Sequence, residues 1–324
     1  MIICCGEALI DMVQIPVPQR GSVSGSGIGF LPVPGGCSYN TAIAIGRFGV
    51  PVKFLGKVST DFFGDIIFKR LKDNNVGDEL IIRADKNTTL AIVNTVDNQS
   101  PRYSFYTDGT SVPLFTEADL PATLPPETNC IVFGSISMTM EPVASTIKTF
   151  ISRYKDENSP VISFDPNVRP LKIKDKESYI KNFEELTAAS VIAKISAEDF
   201  SYVYPGLKPE QALRKILTLG PRLAICTMGS EGSMVLLRHN NGSITKANAP
   251  AVKTNIVDTV GAGDTFHGAL LSWLEMKGKL SRHALPGLSE TDLYNVLCFA
   301  NKAASIVCSR QGANPPVLEE VGEK

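Results

Sequence analysis

The chain has 324 residues, of which 43 % are hydrophobic and 20 % are charged, a composition typical of a globular protein with a sizeable core. Its 32 Lys and Arg balance 33 Asp and Glu to a formal net charge of -1, and no basic run marks a surface for nucleic acid or anionic membrane. The 7 cysteines show no CxxC spacing, which favours buried thiols in a reducing compartment over a disulfide framework or a zinc site.

The N-terminal stretch, MIICCGEALIDM, is apolar, but it has no basic residues at its start and contains Glu7 and Asp11. We therefore expect a first β-strand over residues 2–10 and not a signal peptide. The other apolar runs are too short to cross a bilayer. These patterns together predict a cytoplasmic protein.

Short apolar runs alternate with helix-length amphipathic segments along the rest of the chain. The predicted strands cover residues 52–58, 130–136, 160–165, 190–196, 222–229 and 233–238. The predicted helices cover residues 38–48, 61–74, 141–155, 178–188, 209–219 and 290–309, with a further helix beginning near Asp264. This alternation predicts an α/β fold in which helices cover both faces of a mostly parallel sheet.

Two segments interrupt the alternation. Residues 12–34 are rich in Pro, Gly and Ser, and residues 88–107 have the pattern of two strands joined by the turn DNQS. They form either a small β-lid that projects from the main sheet or an edge hairpin and a loop. Periodicity alone does not separate these alternatives.

The segment DTVGAGDTFHGAL, residues 258–270, has the features of a phosphate-binding turn. Gly261, Ala262 and Gly263 let successive backbone N–H groups converge, and the positive end of the following helix dipole favours an anion there. Asp264 is either the N-cap of that helix or a functional carboxylate. At a helix N-terminus we expect this carboxylate to be ionised at neutral pH.

A second glycine-containing segment, PGGCSYN, covers residues 34–40. Gly35 and Gly36 allow a ligand to approach the backbone closely, and Asn40 can both donate to and accept from a polyol. The sequence contains no GxxxxGK phosphate loop, no GxGxxG after the first strand and no GxSxG nucleophile elbow, and its 3 histidines lack metal-site spacing. A P-loop enzyme, a dinucleotide-dependent dehydrogenase and an α/β-hydrolase are therefore disfavoured.

PGGCSYNTA and DTVGAGDTFHGAL resemble the two signature motifs of the ribokinase-like, or PfkB, carbohydrate kinases. The resemblance extends from the first strand to about Ala313, with Cys37 and Ser38 where Ala and Pro are common in the family. It implies one ribokinase-like domain over residues 1–324, a three-layer αβα fold with a mostly parallel central sheet. It also favours the lid alternative, with lid segments at about 12–34 and 88–112.

The resemblance implies that Asp264 is the base that removes the proton from the sugar hydroxyl. The N–H groups of Gly261, Ala262 and Gly263 would form the anion hole for the transferring phosphoryl group. The implied sugar-binding residues are Asp11, Gly35, Gly36 and Asn40, Arg102 and Phe105 of the lid, and Asn167 and Arg169 of the segment DPNVR. Without the resemblance, Asp11 would be interpreted as a solvated strand end.

The family pattern also implies a nucleotide site for ATP with Mg²⁺. Its residues would be Lys194 and Ser196 in KISAEDF, Thr227, Gly229 and Gly232 in TMGSEG, and Ala300, Asn301 and Ala304 in FANKAAS. The acid that serves the Mg²⁺ network through water would be Asp199 or Glu198, since the sequence departs from the family pattern here. Asp258 and the loop 309–312 match the region where many members bind a monovalent cation such as K⁺.

The implied reaction is the ATP-dependent phosphorylation of a primary hydroxyl on a small sugar, a phosphotransferase reaction. CGEALIDM, VFGSISM and SFDPNVR are similar to their counterparts in fructokinases and favour conversion of D-fructose to fructose 6-phosphate. The alternatives are a 2-keto-3-deoxygluconate kinase, a ribokinase, or a sugar-binding pseudokinase regulator, which the intact Asp264 disfavours. We expect no nucleic-acid or membrane partner, and a homodimer formed through the lid.

Overall fold

The computed structural model describes residues 1–16, 28–94 and 102–322. The strands are β1 (Ile2–Cys5), β2 (Leu9–Pro16), β3 (Ile28–Gly35), β4 (Val52–Ser59), β5 (Val76–Gly77), β6 (Ile81–Ala84), β7 (Leu90–Asn94), β8 (Arg102–Tyr106), β9 (Cys130–Gly134), β10 (Val161–Asp165), β11 (Ile192–Ser196), β12 (Leu223–Thr227), β13 (Ser233–Arg238) and β14 (Ile244–Ala249). The helices are α1 (Cys37–Arg47), α2 (Phe62–Asp73), α3 (Val143–Ser152), α4 (Lys176–Ala188), α5 (Ala197–Val203), α6 (Pro209–Leu219), α7 (Ala262–Met276), α8 (Glu290–Cys308) and α9 (Leu318–Val321).

The central sheet has the strand order β14-β13-β12-β11-β10-β9-β1-β4-β5, with β6 also paired to β4. All of these pairings are parallel except those that join β12 to β13 and β13 to β14. Alternate residues of β1 face opposite sides of the sheet. Ile2 and Cys4 belong to the core cluster that includes residues of α1, α2, α7 and α8, and Ile3 and Cys5 belong to the one that includes residues of α3, α4, α5 and α6. The three-layer fold predicted from the sequence is confirmed.

The predicted first strand, residues 2–10, is wrong as a single element. The chain leaves the central sheet after Cys5 and enters a second sheet at Leu9. Gly6 lies at the break with φ of 150°, and a Cβ atom there would lie 2.3 Å from Ser38 Oγ at the start of α1. A side chain is therefore excluded at the point where the strand breaks. The strand predicted over 130–136 is likewise shorter, because Ser135–Thr139 form a 3₁₀ turn.

The second sheet has the order β3-β2-β7-β8 and is built from the two segments that interrupt the alternation. Asp11 is paired with Val33 on one side and with Ala91 on the other, and Ala91 is paired with Phe105. Since paired residues project to the same face of a sheet, Asp11 and Phe105 share one face. Residues 17–27 and the predicted turn DNQS lie outside the described residues. A lid function for this sheet, and a homodimer formed through it, stay predictions.

Five of the cysteines are buried and two are partly buried, all as free thiols, as their apolar surroundings in the sequence suggest. In the described ranges, no helix combines the length and the apolar character needed to span a membrane. The cytoplasmic location stays a prediction.

Candidate active site

The carboxyl ends of neighbouring parallel strands meet along one edge of the central sheet, where α/β proteins bind their ligands. Glu7 follows β1 at this edge, and β10 ends with Asp165. Ser196 ends β11 and Thr227 ends β12. The sheet topology therefore brings together segments that are far apart in the sequence.

The GAGD segment forms the turn into α7. Gly261 is the N-cap residue in the left-handed conformation, with φ of 77°, and a Cβ atom there would lie 2.6 Å from the Cβ of Ala313. Glycine is thus required both by the backbone angle and by packing. The first turn of a helix leaves its N–H groups without intrahelical acceptors. However, the Ala262 N–H donates to the Thr259 carbonyl at 3.2 Å, which leaves Gly261 and Gly263 as the better anion donors of the three predicted.

Asp264 is the third residue of α7, so its interpretation as the N-cap is wrong. The carboxylate is buried, and Asn40 Nδ2 donates to its Oδ2 at 2.8 Å. Burial raises the pKa of Asp264, hydrogen bonds from Cys37 and Asn40 oppose this, and nearby Asp165 raises it further. Burial thus opposes the helix dipole in its effect on the pKa of Asp264, and ionisation of this carboxylate at neutral pH stays a prediction.

Asn40 reaches Asp264 because α1 and α7 pack unusually closely. A Cβ atom at Gly268 of α7 would lie 2.9 Å from the Cβ of Ala44 and 3.1 Å from the Thr41 carbonyl oxygen of α1. Thr41 Oγ1 also lies 3.5 Å from the Asp264 backbone oxygen. The glycine in HGAL thus lets the two motif-bearing helices touch.

Glu7 holds the start of α1 and was not identified from the sequence. Its Oε1 accepts the Cys37 N–H at 2.9 Å, and Ser137 Oγ donates to its Oε2. The preceding Gly36 has φ of 111°, and a Cβ atom there would lie 2.7 Å from the Glu7 carbonyl oxygen. Burial raises the pKa of Glu7, and the hydrogen bonds that it accepts oppose this rise. The sequence feature that could have identified Glu7 is the presence of a carboxylate in the otherwise apolar stretch CGEALI.

Asp11 lies inside β2 of the second sheet and not at the end of the first strand, as the sequence had suggested. A Cβ atom at Gly35 would lie 2.2 Å from Asp11 Oδ2, so Gly35 makes room for this carboxylate. Burial raises the pKa of Asp11 to about 7, with Arg169 lowering it and Asp264 raising it. Asp11 therefore lies within electrostatic range of both Arg169 and Asp264.

The DPNVR segment forms a tight turn after β10. Asn167 has a positive φ of 38°, and its N–H donates to Asp165 Oδ1 at 3.1 Å. Arg169 Nη1 donates to Asn167 Oδ1 at 2.5 Å, so the two predicted residues are held together. On the facing sheet, the Phe105 ring lies 5.1 Å from the Lys172 ammonium. The side chain of Arg102 lies outside the described residues.

Lys194 is a buried cation beside the GAGD turn. Its Nζ donates to Asp165 Oδ2 at 2.8 Å, and the two side chains are 4 % and 2 % exposed. A Cβ atom at Gly263 would lie 3.1 Å from Lys194 Nζ. Burial lowers the pKa of Lys194, but the Asp165 carboxylate outweighs this effect and raises it overall. The ammonium is therefore protonated at neutral pH and lies next to the predicted anion hole.

The residues predicted for the nucleotide are not all at the surface. Thr227 is partly exposed, and Gly229, with φ of 56°, has open space where a Cβ atom would lie. Gly232 instead serves the turn, because a Cβ atom there would lie 2.2 Å from the Ala249 carbonyl oxygen.

On α8, only some of the predicted residues are placed to contact a nucleotide. Ala300 is fully buried in the core, whereas Ala304 is partly exposed. The buried Asn301 amide donates to the carbonyls of Ala249 at 3.2 Å and Pro250 at 3.1 Å. The structure therefore brings Ala304, and not Ala300, to a surface that a ligand can reach.

The predicted metal residues hold loops in place. Asp199 Oδ1 accepts the Val168 N–H at 2.8 Å and its Oδ2 accepts the Ser196 N–H at 3.1 Å, so this buried carboxylate does not fit as a direct Mg²⁺ ligand. The alternative acid, Glu198, is exposed. Asp258 Oδ2 accepts the Gly312 N–H at 2.9 Å, which joins the loop 309–312 to the GAGD segment.

Three buried groups, Cys37 Sγ and the Asp165 and Asp264 carboxylates, lie within 4.8 Å of one another. Burial raises the pKa of the Cys37 thiol well above its usual range, and Asp165 is paired with Lys194. A protonated thiol and an engaged carboxylate are poor metal ligands. This cluster therefore fits a hydrogen-bonded network that includes the Asp264 carboxylate better than a metal centre.

Comparison with known proteins matches residues 1–320 to the model of the pfkB family carbohydrate kinases. A fructokinase of Rhizobium leguminosarum bv. trifolii is 36 % identical over 295 residues, which cover 91 % of this chain and 86 % of that protein. The probable fructokinase-6, chloroplastic, of Arabidopsis thaliana is 30 % identical over 328 residues, covering 99 % and 81 % of the two chains. The crystal structure of a fructokinase with bound ATP from Xylella fastidiosa is 25 % identical, with a TM-score of 0.86 over 99 % of this chain and 96 % of that chain.

Proposed function

The chain belongs to the pfkB family of carbohydrate kinases, and we propose that it is a fructokinase that transfers the terminal phosphoryl group of ATP to the 6-hydroxyl of D-fructose. The observation that carries this proposal is the position of Asp264. This buried carboxylate lies on the first turn of α7, directly after a glycine turn suited to an anion, and its charge raises the pKa of Asp11. The similarity to fructokinases supports fructose as the sugar.

Asp264 acts as the general base in this proposal. Asn40 fixes its Oδ2, so the carboxylate is oriented before the sugar arrives. Burial raises its pKa toward the operating range of the enzyme, which makes the ionised carboxylate a stronger proton acceptor than an exposed aspartate. The proton of the sugar hydroxyl passes to Asp264 as the hydroxyl oxygen bonds to phosphorus.

Positive groups on the other side of the turn stabilise the charge of the transferring phosphoryl group. The N–H groups of Gly261 and Gly263, the N-terminus of α7 and the Lys194 ammonium all lie at this turn. Phosphoryl transfer depends mainly on positioning and electrostatic stabilisation, which is the contribution that these groups would make. Mg²⁺ bound to the ATP phosphates and water would neutralise further charge, and no direct protein ligand for it is needed.

The sugar would bind between the second sheet and the edge of the central sheet. Asp11 and Asn40 would form hydrogen bonds with the sugar hydroxyl groups. Arg169, which Asn167 holds and whose charge lowers the pKa of Asp11, would contact the same sugar. Thr227, Gly229 and Ala304 would contact the nucleotide. Asp258 and the loop 309–312 would form the monovalent-cation site, so K⁺ should activate relative to tetramethylammonium.

A coupled ADP-release assay tests the function and the sugar together. It compares kcat/KM for D-fructose, D-ribose, 2-keto-3-deoxygluconate, adenosine and fructose 6-phosphate at saturating ATP and Mg²⁺. We expect the highest kcat/KM with D-fructose. A higher value for ribose or 2-keto-3-deoxygluconate contradicts the sugar assignment. No turnover with any acceptor contradicts the kinase assignment and favours a sugar-binding regulator.

A further inference from the structure

We propose that Asp165, the last residue of β10, is a positioning residue for phosphoryl transfer that holds the Lys194 ammonium at the phosphate turn and fixes the turn that carries Asn167 and Arg169. This proposal rests on the proposed function and adds a residue that the two signature motifs do not contain. Asp165 touches neither substrate in this account and acts through the residues that it holds.

The two carboxylate oxygens of Asp165 have separate partners. Oδ2 accepts from Lys194 Nζ at 2.8 Å, and Oδ1 accepts from the Asn167 N–H at 3.1 Å. The first contact fixes a cation beside Gly263. The second contact supports the positive φ of Asn167, whose side-chain oxygen in turn holds Arg169. One side chain thus orders groups on both sides of the reacting atoms.

The surroundings explain why Lys194 needs this partner. Its side chain is 4 % exposed, and removal from water disfavours the charged form of an ammonium. The titratable and charged groups that face it come from five elements: Cys37 (α1), Asp165 (β10), Asp199 (α5), Cys226 (β12), and Asp264 and His267 (α7). The Asp165 carboxylate opposes the desolvation of Lys194 more strongly than Asp199 or Cys37 does.

His267 does not replace Asp165 as a charge partner. Burial lowers the pKa of His267 to about 3, so its ring is neutral, and Nε2 lies 2.7 Å from Ser163 Oγ. Its Nδ1 lies 3.9 Å from Asp165 Oδ2 and has no hydrogen-bond partner among the described residues. The neutral His267 ring therefore packs near Asp165 without an ion pair, and the Asp165 carboxylate pairs with Lys194.

The decisive variant is Asp165→Asn, which keeps an oxygen for the Asn167 N–H but removes the charge opposite Lys194. We expect kcat at pH 7 to fall by on the order of 10²-fold, as when one transition-state donor is lost. Without its partner, Lys194 loses its proton at a lower pH, so a new loss of activity should appear as pH rises above about 7. The wild-type enzyme should show no such alkaline loss, because Asp165 raises the pKa of Lys194.

The matched control is Asp119→Asn, which breaks the Lys57–Asp119 ion pair of 2.7 Å away from the site. It should lower the melting temperature without creating an alkaline loss of activity. The proposal would be overturned if Asp165→Asn kept a near wild-type kcat and the wild-type dependence of activity on pH. It would also be overturned if Asp119→Asn lost activity at alkaline pH in the same way as Asp165→Asn.

Asp165→Asn can also fail to fold, because it leaves a buried charge unpaired. The double variant Asp165→Asn with Lys194→Met removes that charge and should fold, with the low kcat of Lys194→Met alone and no alkaline loss. Wild-type kcat in the double variant would overturn the proposal.

Calorimetric ATP binding separates this proposal from the proposed function. If the wild-type protein phosphorylates no sugar, the proposed fructokinase activity is wrong. A pH-dependent loss of ATP affinity that occurs only in Asp165→Asn would still support the positioning role of Asp165. Unchanged ATP affinity in that case contradicts it.

Discussion

The substitution Gly35→Ala tests the arrangement of the sugar site without replacing a charged residue. An alanine Cβ atom at this position would lie 2.2 Å from Asp11 Oδ2, whereas ordinary contact begins at 3.4 Å. The Asp11 carboxylate must therefore move by roughly 1 Å, because the β2–β3 pairing of Leu9 with Gly35 holds the backbone. A displacement of this size costs on the order of 10² in kcat/KM when the displaced group orients a substrate.

The assay measures KM for fructose, KM for ATP and the melting temperature of Gly35→Ala. We expect kcat/KM for fructose to fall by on the order of 10²-fold, with KM for ATP nearly unchanged because the proposed role of Asp11 concerns the sugar only. Asp11→Ala should give a loss of similar size. The control is Gly287→Ala, which has open space around the added Cβ atom and should leave both KM values unchanged. An unchanged KM and kcat for fructose in Gly35→Ala would refute the placement of Asp11.

Two further predictions concern the charge on Asp11 and the backbone at Gly261. Burial raises the pKa of Asp11 to about 7, so the folded protein binds the proton of this carboxyl more tightly than the unfolded chain does. The contribution of this proton to the free energy of unfolding is therefore lost as pH rises through about 7. Asp11→Asn should therefore raise the melting temperature of the ligand-free protein more at pH 8 than at pH 5. An equal rise in melting temperature at the two pH values would contradict the burial of the Asp11 carboxylate. Gly261→Ala adds a Cβ atom 2.6 Å from that of Ala313, at a φ of 77°. We expect urea titration to show a loss of about 1–3 kcal/mol in the free energy of unfolding. An unchanged free energy of unfolding would contradict the tight turn at Gly261.

The alternation of apolar runs was sufficient to predict the central sheet and most of its helices, because period and length reflect local burial. It could not predict the strand break at Gly6. That break depends on contact with Ser38 at the start of α1, which follows β2 and β3 in the chain. The pairing of β2 with β7 is also set by tertiary contacts and not by any local pattern.

The candidate site was only partly predictable for the same reason. The motifs predicted Asp264, Asn40 and the glycine turn, but they did not show that Gly35 makes room for Asp11. The contacts of Asp165 and Glu7 were not predicted because they depend on burial and on partners distant in the sequence.

The nucleotide side shows the same limit. The helical pattern of α8 did not reveal that Ala300 faces the core while Ala304 is partly exposed. Residue identity indicated the chemistry, and tertiary packing determined which residues could perform it.

The most direct test of the account is the fructose-dependent kcat of Asp264→Asn at pH 7.5, measured by ADP release. We expect kcat to fall by on the order of 10² to 10⁴, while KM for fructose and the melting temperature change little, as for the loss of a general base. The asparagine amide oxygen can still accept from Asn40 Nδ2, so the fold of the site should be retained. A near-normal kcat would contradict the assignment of Asp264 as the base.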